Sequence, residues 1–271
     1  NGAGPAAQGG VKDLKDTLDS LFNHPNTGPF ICKQLIQRLV TSNPSPGYVY
    51  RVAQVFANNG AGVRGDLGAV IRTLLLDYEA RSSAVVNTPS YGKAKEPLLR
   101  ATALLRAFNG ASDSGRYTTT GNGSSLSNPD TINTASLAEA AGRAPTVFNF
   151  YEPGYVYPGV IAAAGLYAPE FKVLTDTTAL TIPNYLYNIL QATRSATNVG
   201  LNYAGVLPIA KNSQGLADYV NLVLSAGSMP KSMVDRIVAA LNAMPANTSD
   251  TDRVRSAIYL AVSSAEGAVQ K

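Results

Sequence analysis

The chain has 271 residues, 45% of them apolar and 15% charged, with a net charge of +4 and a pI near 9.1. That length allows a sizeable core and one or two domains. The charged fraction lies below the quarter usual for soluble domains, so Ser, Thr, Asn, Gln and Tyr must carry the surface. Such a balance suits a secreted or periplasmic protein, or one with a large partner interface. Lys and Arg are scattered, without the clustered basic stripe of a nucleic-acid binder. No apolar run reaches the ~18 residues of a membrane span.

The opening Asn1–Gly10 is Gly/Ala-rich, reads as a flexible linker, and has no initiator Met or signal sequence. We expect a processed chain with an upstream portion removed. From Val11 to Phe22, apolar residues fall at helical spacing (Val11, Leu14, Leu18, Leu21, Phe22). Asn23–Pro29 is a turn carrying the only histidine, His24. Thr27 is placed to cap a helix over about Phe30–Thr41 that buries Phe30, Ile31, Leu35, Leu39 and Val40. The only cysteine, Cys32, lies in that pattern, where a buried inert thiol is expected.

Ser45 and Pro46 start a helix with Tyr48, Val49, Val52, Val55 and Phe56 as its stripe, ended by Asn58–Gly62. Gly65-Asp66 opens the next, through Leu67, Val70, Ile71, Leu74 and Leu75. Short helices on tight turns imply antiparallel packing. A further helix is expected over Lys93–Phe108, with Leu98, Leu99, Ala101, Leu104 and Leu105 inward.

A polar loop follows at about 109–136 and an aromatic-proline loop at about 143–158. In the latter, Phe148 and Phe150 are expected to pin the loop, and Tyr155 and Tyr157 to be its exposed rings. Thr181–Arg194, Ser213–Ser225, Pro230–Ala243 and Thr251–Ser264 are helical by pattern, and no segment alternates as a strand. The expected fold is all-α, one compact domain over 11–271 built of short antiparallel helices with long irregular loops.

One His and one Cys cannot furnish a zinc site, and no cofactor or metal is expected. An oxygen-ligand calcium site has only Asp250 and Asp252 as a nucleus, which reads better as a helix start. A Ser-His-Asp triad would need His24, and no Gly-x-Ser-x-Gly elbow is present. Heme and nucleotide signatures are absent. Acids and arginines remain: Asp66, Asp77, Glu79, Glu96 and Glu152 beside Arg38, Arg51, Arg64, Arg72, Arg81 and Lys93. They read either as ion pairs fixing helix angles or as a polar cleft. The candidate binding residues are His24, Arg38, Arg51, Asp66, Lys93, Glu96, Tyr151, Tyr155 and Tyr157.

Four blocks resemble one bacterial family. They are His24-Pro25-Asn26-Thr27 with Lys33–Val40; Ser42–Pro46 with Tyr48, Arg51, Val52 and Phe56; Arg64–Leu67 with Leu76–Arg81 and Lys93–Leu98; and Ala144–Tyr155. The ending, Arg253–Leu260 through Ala265–Gln270, is similar too. The family is catalogued as domain of unknown function number eighteen hundred, and the likeness is to its C-terminal half. The resemblance implies an all-α fold and export. It also implies a partner, either a neighbouring-gene, sulfatase-like protein or a missing N-terminal half. It implies no reaction.

The expected function is a non-enzymatic exported binding or assembly module, holding a partner protein or a cell-surface polysaccharide. The alternative is a polymer-acting hydrolase or lyase with a carboxylate-arginine cleft. Two carboxylates about 5–10 Å apart in an open cleft would favour the alternative. Acids capped and sealed would favour binding.

Overall fold

A computed structural model describes residues 9–115, 137–196 and 198–271. The polar loop expected at 109–136 lies mostly outside the described residues, as do residues 1–8 of the expected linker. The chain is all-α. It divides into two compact units, Asn1–Tyr91 and Gly92–Lys271, each with its own core. The sequence drew no boundary at 91.

In the first unit, α1 (Gly10–Asn23), α2 (Thr27–Leu39), α3 (Pro46–Ala57) and α4 (Leu67–Leu76) are followed by single turns α5 (Tyr78–Arg81) and α6 (Ser83–Val86). The expected caps form. Ser45 Oγ accepts from Tyr48 N with Pro46 in the first turn, and Asp66 accepts from Ala69 N. Thr27 departs from its expected role: it is the first helical residue, and its hydroxyl donates to Leu21 O at 2.6 Å.

The buried face of α2 is also rotated from the expected one. Gly28, Cys32 and Ile36, spaced by four, are buried, while Phe30 and Leu39 are exposed. Gly28 is the cause: a Cβ there would meet the Phe56 ring at 3.0 Å, so α2 turns its smallest residue to α3. Burial pushes the Cys32 thiol up to about 11, which makes it inert. On α1 no side chain is buried, and its stripe stands open, from Phe22 at 43% to Val11 at 86% exposure.

In the second unit, β1 (Lys93–Ala94) precedes α7 (Pro97–Ala107), then come the single turn α8 (Val160–Ala163), a 3-10 turn at Pro169–Lys172, α9 (Asp176–Gln191), a 3-10 turn at Leu207–Ile209, α10 (Ser213–Ser225), α11 (Lys231–Asn242), α12 (Asp250–Ser263) and β2 (Val269–Gln270). The core gathers Phe108, Leu186, Leu190, Leu216, Ile237 and Leu241 from four of the helices and their ends.

Two expectations are corrected here. The helix expected from Lys93 starts at Pro97, because Pro disfavours a helical residue before it and Glu96 is extended (ψ 137°). The freed Lys93 and Ala94 pair antiparallel with Gln270 and Val269, a short ribbon where no strand was foreseen. The helix expected from Thr181 begins at Asp176, since Thr175 and Thr178 close a capping box that absorbs Pro183 into the helix interior.

Candidate functional site

The His24 turn is a structural junction. The imidazole is exposed, and its Nδ1 accepts from Asn26 N at 3.2 Å. The backbone carbonyls of Phe22 and His24 each accept from Arg64, at 3.1 Å. The Arg64 guanidinium also lies 5.6 Å from the Phe22 ring centre and 5.1 Å from that of Phe56. One cation thus joins α1, the turn and α3.

Beside this junction lies a groove of about 500 Å³ between the α1–α2 and α2–α3 turns. Pro25, Pro29, Pro44 and Pro46 line it with rigid apolar rings. Tyr50, 64% exposed, stands on it, with Lys33, Gln54 and Arg64 as its long polar side chains. Among the described residues, no carboxylate, aliphatic hydroxyl or thiol lines it, nor does His24. Such a surface can hold a ligand, and among the described residues its groups able to transfer a proton or act as a nucleophile are the Lys33 amine and the Tyr50 phenol.

Of the expected site residues, Arg51 belongs to a partly buried ion-pair network. Its Nε and a terminal nitrogen bond the two Asp77 oxygens at 2.7 and 2.8 Å, and the same terminal nitrogen reaches Glu79 Oε1 at 2.9 Å. Ser45 Oγ also donates to that Glu79 oxygen at 2.7 Å. The Arg51 guanidinium lies 4.6 Å from the Tyr78 ring centre. Burial would raise the Asp77 pKa, but Arg51 and the Glu79 N–H outweigh it and hold it below the usual range. These two acids are the closest grouping to a carboxylate pair, and the guanidinium occupies them.

We expect Arg51→Met to destabilise the first unit by about 2 kcal/mol at pH 7. A fully sealed pair would cost more, since the Arg51 side chain is 36% exposed. A depressed carboxyl stabilises above its unfolded pKa of about 4, and that stability is lost as pH falls through the folded value. The gap between wild type and variant therefore closes in acid. Urea midpoints at pH 7 and below pH 3 check both the size and the trend.

Asp66 caps α4 and accepts from Asn59 Nδ2 at 2.8 Å; the Ala69 N–H and then Asn59 hold its pKa low. It is the sole carboxylate of its hollow, facing Arg72. Arg38 is half-buried on α2.

In the second unit, Lys93 is sealed against Glu170 at 3.3 Å. Glu96 accepts from Asn149 Nδ2 at 3.4 Å, and Glu152 is held low by an exposed pair with Lys172. Tyr151 is the ring that pins the aromatic loop, at 2% exposure, while Phe148 lies at its surface. Tyr155 is half-buried beside Lys172, and the exposed Tyr157 packs on Phe171 at 5.2 Å.

The expected residues do not converge on one site. Tyr50, Lys33 and Gln54 were missed, although Pro25, Pro29, Pro44 and Pro46 bracketing one helix marked where two turns could meet. Among the described residues no three His, Cys, Asp or Glu gather as metal ligands, and no helix is long and apolar enough to cross a membrane.

Fold and groove together define an all-α protein with a proline-lined, cation-rimmed groove. The chain belongs to the family described as "Protein of unknown function (DUF1800)", which matches residues 3–268. That match spans nearly the whole chain and does not support assigning it to a C-terminal half of the family. No curated protein and no solved structure matches it significantly.

Proposed function

We propose that this protein is an exported, non-catalytic binding module whose groove between the α1–α2 and α2–α3 turns holds an extended, carboxylate-bearing segment of a partner protein. The observation that carries this reading is the groove's lining: four prolines and Tyr50 for apolar contact, Lys33 and Arg64 for charge, and no acid. Rigid rings lose little entropy on binding, and a positively charged rim favours an anionic guest. The tethered acids elsewhere agree, since Asp66, Asp77, Glu79, Glu96 and Glu152 each serve a cap, an amide or a cation. Export rests on the family resemblance and the low charged fraction.

The test is affinity capture from the native source, followed by purification of the captured partner. Tyr50→Ala, at an exposed position that leaves the core intact, is expected to weaken the purified pair at least about tenfold, as loss of a buried aromatic anchor does. Unchanged affinity would remove the groove from the interface. A polysaccharide as the only captured species would replace the protein guest, and polymer cleavage by the purified chain would end the non-catalytic reading.

A further inference from the structure

The apolar stripe of α1 has no cover among the described residues. Val11, Leu14, Leu18 and Leu21 recur at alternating steps of three and four, with Phe22 beside the last. That spacing makes a narrow seam suited to another helix rather than the broader face a helix turns to a globular core. The C-terminal end of α1 is tied down. Phe22 meets Phe56 with ring centres 6.1 Å apart, Arg64 donates to Phe22 O at 3.1 Å, and Thr27 donates to Leu21 O. Towards the N-terminus Val11, Leu14 and Leu18 are 86%, 60% and 56% exposed.

An uncovered α1 is marginal. It has 14 residues, close to the length at which an isolated helix holds only weakly in water. The Lys12–Asp16 and Lys15–Asp19 pairs along it are exposed, and such pairs add little. Burial of the seam is what would hold this helix firm.

Charge and area select the occupant. The polar side carries Asp13, Asp16 and Asp19 against Lys12 and Lys15, so it lacks the cationic excess by which an amphipathic helix holds an anionic bilayer. The same near-balance leaves little repulsion between two identical helices. Covering the seam on two copies removes about 1,000 Å² from water, the least that a specific interface needs. We propose that the chain pairs with a second copy of itself through α1, the two seams interlocking about a two-fold axis. The seam shares no residue with the proline-lined groove, so this pairing and the proposed function stand or fall separately.

Sedimentation equilibrium of the full chain between about 1 and 300 µM reads the pairing. An interface of this size gives a dissociation constant on the order of 10–100 µM. The average mass is therefore expected to climb from 28.3 kDa towards twice that value, and the helical circular-dichroism signal to climb with it. Leu14→Ala with Leu18→Ala removes the knobs and keeps the strongest helix former at both sites. It is expected to weaken pairing at least about thirtyfold, because each change falls on both copies. Since no α1 residue is buried, its urea midpoint at about 1 µM should match wild type, which separates lost pairing from lost folding. Ser20→Ala, off the seam, is expected to pair as wild type does. A mass of 28.3 kDa throughout, undiminished pairing by the double variant, or an equal loss in Ser20→Ala would overturn the proposal. So would a monomeric chain that co-sediments with phosphatidylcholine–phosphatidylglycerol vesicles, which would give the seam to a bilayer instead.

Discussion

Glu170→Gln is expected to destabilise the Gly92–Lys271 unit by about 3–5 kcal/mol, the range for breaking a buried ion pair from one side. Lys93 Nζ lies 3.3 Å from Glu170 Oε1, and the two side chains are 1% and 2% exposed. The amide nearly matches the carboxylate in shape but withdraws the negative charge that faces the Lys93 ammonium in a dry setting. That setting is fixed by long-range contacts, for Lys93 sits on β1 opposite Gln270 and Glu170 on the 3-10 turn after Ala168. Removing both charges, as in Lys93→Met with Glu170→Leu, should recover most of the loss, since an apolar pair of similar volume carries no desolvation penalty. A denaturation cycle over wild type, both single variants and the double variant measures this. A Glu170→Gln effect within about 0.5 kcal/mol, the size of an ordinary surface change, would show that the pair is not sealed.

Gly267→Ala should lower the stability of the same unit by about 3 kcal/mol, the upper end for overpacking. A Cβ on Gly267 would lie 2.0 Å from the Ala261 carbonyl oxygen and 3.0 Å from its carbon. The obstacle is the last turn of α12, which cannot swing aside as a side-chain tip can. The close approach is what returns the chain after α12: Gly267 N donates to Ser264 Oγ at 2.9 Å, and Lys95 N donates to Ala268 O at 2.7 Å. Gly205→Ala is the control. Nothing lies within 4 Å of its Cβ, so it should be neutral or slightly stabilising. Hydrogen exchange of the α12 amides reads both changes. Equal protection in the two variants would contradict the packing argument.

The helical class and several helix starts were legible in the sequence because their signals are local. Ser45-Pro46 and Gly65-Asp66 each combine a capping side chain with apolar residues at helical spacing, and each caps as expected. What failed depends on partners distant in sequence. Lys93 and Ala94 carry no alternation, and only Val269 and Gln270 make them a strand. The face of α2 turned because Gly28 meets Phe56, a contact hydropathy does not encode. Tyr151 and Lys93 have the chemistry of binding residues, yet burial by remote neighbours makes them packing residues. The groove arises where two proline turns converge. Its prolines mark the turns along the chain, but nothing local shows that the turns face one another.

The Lys93–Gln270 ribbon also bears on the order of assembly. The first unit draws its packing from residues up to Tyr91, so its core becomes available once that stretch has left the ribosome. The second unit closes only when its last strand emerges, because that strand must reach back to the residues that open the unit. Long-range closure of this kind slows folding, and it keeps the second core exposed to aggregation and proteolysis until that strand has emerged.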